Sequence, residues 1–278
     1  MKLIVAIFFL PILAIAQVGQ SVSFSNLRVS EYLQAYANVG GKKPASLDRT
    51  LYFLNMLSDK REKFKNEQTF LEHVFTKTHQ RFLKQYKEYA TFNELLLEGN
   101  YNCMTATALY ALILEHLGFE YEIIETNYHI FLVAETAYGP VLLETTDPLQ
   151  GFVTKNQEIE RKISQYRQNT QVESNNNKTY YQYNVSLFNS IGLKSLHGLL
   201  YYNLAVDAYN KQDLLSTVDY LEKACLLYES QRLEEFSKII VLTLLESKIN
   251  TEIKENLLRR IQSIKDHQLR VVASTKTF

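Results

Sequence analysis

Two residues with the makings of nucleophilic chemistry stand close together in the chain. Cys103 lies in GNYNCMTATALY, residues 99–110, where a short polar loop gives way to an apolar helical run. A cysteine at a helix N-terminus faces free backbone N–H groups and the positive end of the helix dipole, which favour thiolate over thiol. The same N–H groups can hold a developing oxyanion. Asn102 is placed to cap this helix. A thiolate nucleophile needs a base, most often a histidine oriented by a third polar group. His129, in NYHIFLVAE, starts an apolar strand, from which its ring can project towards the helix tip. The other histidines lack that setting: His73, His79 and His116 lie along helices, and His197 and His267 in the C-terminal helical part. The chain carries no HExxH or CxxC spacing, so neither a metal nor a cofactor is expected.

The elements that must position this pair are legible as periodicity. SLDRTLYFLNMLSDKREKF, residues 46–64, has leucines at helical spacing behind a Ser cap, and a second helix is expected over about 67–86. After the helix led by Cys103 come apolar, β-branched runs at 121–126, 130–134 and 141–143. Turn chemistry at residues 137–140 joins the last two into an antiparallel hairpin. From about 165 to 183 the composition turns to Gln, Asn, Ser and Tyr, the clearest boundary in the chain. Residues 190–278 then read as all-helical, with two helices separated by Lys211-Gln212-Asp213, and are expected to fold as a soluble module on their own. Cys225 sits inside the second of these helices and reads as core packing.

The order of these parts resembles the transglutaminase-like superfamily. Gly99 precedes Cys103, the Cys103 helix ends in HLGFEYEII, His129 precedes an aromatic in a strand, and Gly139 leads an apolar strand ending Glu144-Thr145-Thr146. The resemblance covers roughly residues 67–155. It implies a papain-like Cys-His-acid core within an α+β fold, helices packed on a small antiparallel sheet, and an acyl-enzyme formed on Cys103. The third member is expected to be Glu144, which directly follows the apolar strand where the superfamily usually has Asp. Asp147, which precedes Pro148, is the alternative. Leu204, Ala205, Leu214, Leu221 and Ala224 fall at the spacing of a tetratricopeptide repeat. The expected organisation is therefore a leader at 1–16, a transglutaminase-like domain with N-terminal helices at 17–164, a polar linker at 165–189 and a tetratricopeptide-like module at 190–278.

Composition bounds the remaining classes. The 278 residues are 46% hydrophobic and 22% charged with zero formal net charge, an ordinary globular balance without a basic field for nucleic acid or anionic lipid. MKLIVAIFFLPILAIAQ has one Lys, an apolar run and Ala14-Ile15-Ala16, a signal-peptidase pattern too short to span a bilayer. Export to a periplasmic or secreted location is expected, with no stable membrane insertion after cleavage. Cys103 and Cys225 are expected as two free thiols. The leading expectation is an exported thiol enzyme, a cysteine peptidase, amidase or acyltransferase acting on a protein or peptide, with a protein partner on the repeats. The rival is a non-catalytic transglutaminase-like scaffold that binds partners through its helices.

Overall fold

The computed structural model describes residues 27–41, 45–168 and 187–275. The expected leader, and residues 169–186 of the expected linker, lie outside the described residues. The architecture is α+β. A first helix (α1, residues 27–37) is followed by α2 (Asp48–Lys60), a 3-10 turn (Arg61–Lys63) and α3 (Glu67–Phe82). α2 begins later than the Ser46 reading: Leu47 is its N-cap and makes no side-chain cap bond, although the Asp48 N–H reaches Ser46 Oγ at 3.3 Å. α3 ends at Phe82, four residues short of the expected end. The chain is drawn instead into a short parallel pair, β1 (Gln85–Tyr86) with β2 (Asn100–Tyr101), and the Lys84 N–H donates to the Gly99 carbonyl at 2.9 Å.

Between those two strands lies α4 (Phe92–Glu98), started by a Thr91–Glu94 capping box and stopped by Gly99 at φ +84°. A Cβ at Gly99 would also stand 2.7 Å from the Lys84 side chain, so the left-handed turn and the close approach both require glycine. The polar stretch GNYN is thus a helix stop, a two-residue strand and a helix cap.

α5 (Cys103–Leu117) is the central helix, buried from Thr105 to Leu114. It packs on one face of a five-stranded antiparallel sheet of β3 (Tyr121–Thr126), β4 (Ile130–Ala134), β5 (Val141–Leu143), β6 (Phe152–Val153) and β7 (Phe188–Ile191), in spatial order β6-β5-β4-β3-β7. The two-residue alternation decides the faces. Ile130, Leu132, Val141 and Leu143 join the main core with α5, while Phe131, Leu142 and Val153 form a second cluster with Ile159 and Tyr166 of α6 (Asn156–Gln168).

Helix therefore occupies the start of the expected linker, and strand its end. β7 pairs antiparallel with β3 from Ile123–Ile191 to Thr126–Phe188. Beyond it stand α7 (Leu193–Asn210), α8 (Leu214–Leu227), α9 (Gln231–Glu246) and α10 (Thr251–Thr275). The buried residues described in these helices are continuous with those of the first part. Leu196, Leu199, Val218, Leu233 and Ile240 belong to the cluster that also holds Leu109, Leu112 and Tyr36. Tyr36 of α1 donates its hydroxyl to the Leu193 carbonyl at 2.8 Å and packs its ring on His197 and Phe92. The expected boundary near 190 divides the sequence, whereas the apolar core runs across it. Among the described residues no helix is long and apolar enough to cross a membrane.

Candidate active site

Cys103 is the first residue of α5 and is half-buried, its thiol free. Its position is held from beneath by Asn102. The Asn102 side chain accepts the Thr105 N–H at 2.9 Å and donates to the carbonyls of Glu88 and Ala90 at 2.8 and 3.2 Å, while Thr105 Oγ1 accepts the Asn102 N–H at 3.0 Å. The amide of Asn102 is thereby fully used as a cap. The N–H groups of Cys103 and Met104 stand at the first two helical positions, where no intrahelical carbonyl can reach them. One turn further on, Thr107 Oγ1 lies 3.1 Å from Thr145 Oγ1 and 3.4 Å from the Ile130 carbonyl, which ties the thiol's helix to both neighbouring strands.

His129 sits at the end of the tight β3–β4 turn. Thr126 makes that turn: its N–H and hydroxyl donate to the His129 carbonyl at 2.8 and 3.0 Å, and its Oγ1 accepts the His129 N–H at 3.1 Å. The imidazole is hydrogen-bonded to Glu144 and lies close enough to Cys103 for the thiol to favour its protonated form. Nε2 takes the Glu144 Oε2 contact, a very short one, which leaves Nδ1 as the ring nitrogen for the thiol. The side chain keeps 21% of its surface exposed, enough for a reactant to approach. Its ring is tilted against Tyr166 at 5.2 Å, and Tyr166 stacks on Phe131 at 4.9 Å.

Glu144 is one residue past β5 and is satisfied on both oxygens. Oε2 meets His129 and accepts the Tyr166 hydroxyl at 2.8 Å; Oε1 accepts the N–H and hydroxyl of Thr146 at 3.2 and 2.7 Å. Asp147 is not brought to the histidine. Its Oδ1 accepts the N–H groups of Leu149 and Gln150 at 3.0 and 2.9 Å, an Asx turn that returns the chain to Gly151. The structure thus gathers Cys103, His129 and Glu144, and spends Asp147 on the exit turn.

The charges are matched. Burial works against protonating His129, but the neighbouring Cys103 and Glu144 outweigh that and push the imidazole up to about 10. Burial likewise opposes ionising Glu144, yet His129, Thr146 and Tyr166 together pull its carboxyl down to about 2. Both partners carry charge at neutral pH. Tyr86 of β1 also lies beside the thiol; burial first, then the neighbouring Cys103, push its phenol up to about 12, so it remains a neutral donor.

Tyr166 and Thr146 are site residues that the sequence reading missed, and so is Thr126. Tyr166 falls inside the stretch that reads as linker. A signal for it does exist: Ile159, Ile163 and Tyr166 recur at helical spacing, enough to mark one apolar face of a helix. No family model, curated protein or solved structure matches this chain.

Proposed function

We propose that the chain is a thiol enzyme of the transglutaminase-like type, acting on an amide bond of a protein or peptide through an acyl-enzyme on Cys103. The observation that carries this reading is His129, hydrogen-bonded by Nε2 to Glu144 and neighboured by a thiol at the first turn of α5. Cys103 Sγ, its proton held on His129, adds to the carbonyl carbon. The oxygen takes up negative charge beside the free N–H groups of Cys103 and Met104. His129 returns its proton to the leaving nitrogen, the C–N bond breaks, and a thioester remains. Water then gives a proton to His129, attacks the thioester and releases the acid and Sγ. Glu144 holds the ring in place throughout and stabilises it while it is protonated. An amine in place of water would give transfer by the same steps.

A thiol-led helix packed against consecutive strands that carry His and acid supports the papain-like arrangement. The hairpin of α7 and α8 supports the tetratricopeptide-like reading: a Cβ on Gly198 would stand 2.6 Å from Tyr228 Cβ, so small and large residues interlock there. In this reading the helices bind a protein partner. Export to the periplasm or medium rests on residues 1–16 as sequence alone.

The test is incubation of the full chain with a mixed peptide library, scored by mass spectrometry for new amino termini or new acyl–amine linkages. Wild type is expected to generate them and Cys103→Ala to generate none. A wild type no more active than Cys103→Ala would leave the scaffold that binds partners through its helices.

A further inference from the structure

The turn that carries His129 is gripped from the far side by the C-terminal helices. Glu125, next to last in β3, is buried, and Arg232 at the start of α9 is buried against it. Arg232 Nε stands 2.9 Å from Glu125 Oε1, an ion pair by proximity rather than an aligned hydrogen bond. Tyr228, which closes α8, donates its hydroxyl to Glu125 Oε2. The same guanidinium sends Nη2 to the Thr126 carbonyl at 2.6 Å and lies over the Tyr202 ring at 5.6 Å. Thr126 is the residue whose N–H and hydroxyl define the backbone of His129.

A buried ion pair is poor value as a source of stability, because desolvating both charges offsets most of their attraction, and an apolar pair of similar volume would pack there without that cost. What Arg232 supplies that Met or Leu could not is a planar fork spanning a carboxylate and a main-chain carbonyl at once. That carbonyl belongs to the residue that sets the His129 turn.

We propose that Arg232 is a positioning residue of the thiol site: through the Thr126 carbonyl it sets the β3–β4 turn and thereby aims the His129 ring at Cys103 and Glu144. The inference rests on the Cys103–His129 reading above. It makes the C-terminal helices part of the site's scaffold.

Arg232→Lys tests it. The lysine keeps a positive charge opposite Glu125, but one ammonium cannot hold the carboxylate and the Thr126 carbonyl in the fork's geometry. The measurement is the rate of Cys103 alkylation by iodoacetamide in the full chain as a function of pH, with melting temperature alongside. The groups facing His129 are Cys103 from α5, Glu144 after β5 and Tyr166 from α6; those facing Arg232 are Glu125, Tyr202 and Tyr228. None of these is altered by the substitution. The expected result is a fold that melts within a few degrees of wild type, with alkylation near neutral pH slowed about tenfold or more and the pH profile moved towards that of His129→Ala.

A wild-type profile in Arg232→Lys would overturn the proposal and leave Arg232 as packing. Should the lysine variant fail to fold, Glu125→Gln with Arg232→Met leaves no lone buried charge and carries the same expected slowing and the same overturning result. If wild type and His129→Ala coincide, the Cys103–His129 reading itself falls and takes the proposal with it. If those two differ and Arg232→Lys follows wild type, only the proposal falls.

Discussion

The Glu144 carboxylate accepts four hydrogen bonds and that of Asp147 two, and only the first set includes the histidine. Glu144→Gln keeps the shape but removes the charge that holds the imidazolium, so Cys103 labelling and any turnover are expected to fall by orders of magnitude with little loss of fold. Asp147→Asn is expected to leave labelling unchanged, since an amide oxygen still caps the Leu149 and Gln150 N–H groups; the reverse pattern would move the acid to 147. The pair also sets a pH window. His129 at about 10 lies above its ordinary 6.5, so its stabilisation is complete below 6.5 and is lost as pH rises towards 10. Glu144 at about 2 lies below its ordinary 4.5, so its share is complete above 4.5 and is lost as pH falls towards 2. The melting-temperature gap between wild type and His129→Gln is therefore expected to be widest from pH 4.5 to 6.5 and to narrow on either side. For one proton the slope cannot exceed ~1.4 kcal/mol per pH unit. A gap that widens from neutral towards pH 10 would contradict the assignment. Cys103 and His129 were legible because a helix start and a strand start each have a local signature. The choice of acid was not, because it turns on strand alternation: Glu144 follows Leu142 onto the face of Phe131, where Tyr166 also lies.

Among the elements, the exit turn after β5 is built most tightly. Glu144 N–H donates to the Gly151 carbonyl at 2.7 Å, and Gly151 N–H to the Asp147 carbonyl at 3.0 Å. A Cβ on Gly151 would stand 2.2 Å from the Glu144 carbonyl oxygen and 2.3 Å from that of Asp147, so the backbone itself would have to move. Gly118, which ends α5 at φ +70° with open space around it, is the natural control. Gly118→Ala is expected to cost about 1–2 kcal/mol of stability, the strain of a left-handed alanine, and to leave thiol reactivity alone. Gly151→Ala is expected to cost more and also to slow Cys103 labelling, because it displaces Glu144. Equal effects on stability with no effect on labelling would show that the turn does not hold the acid. Where the sequence misled, a longer-range contact had won. α3 stops at Phe82 because Gly99, well downstream, offers its carbonyl to the Lys84 and Gln85 N–H groups. α6, whose last turn runs into the polar boundary, was missed because it buries only Ile159 fully and is otherwise largely solvated. β7 is four residues long, with two of them exposed, and owes its place to pairing with β3 rather than to an apolar run.

At the scale of the whole molecule, one apolar cluster holds described residues from both sides of the polar boundary. Leu196 and Leu199 are fully buried in the core that holds α5, and Arg232 is paired with a carboxylate 107 positions earlier in the chain. No local pattern reports such a pair, which is why residues 190–278 read as separable. In isolation that fragment would expose the first side of α7 and leave Arg232 without Glu125. The full chain is expected to unfold in one calorimetric transition, and fragment 190–278 to melt broadly, below the full chain. Two resolved transitions, with the fragment as stable as its part of the whole, would restore the separable module. The same enclosure separates the two thiols. Burial, aided by Glu222, pushes Cys225 up to about 12, whereas Cys103 lies half-exposed between His129 and the N-terminus of α5. Timed iodoacetamide labelling of the intact chain near neutral pH, followed by peptide mapping, tests the Cys103–His129–Glu144 site most directly. Alkylation is expected at Cys103 well before Cys225, with a drop of about tenfold or more at Cys103 in His129→Ala. Equal rates at the two cysteines, or a Cys103 rate indifferent to His129, would contradict it.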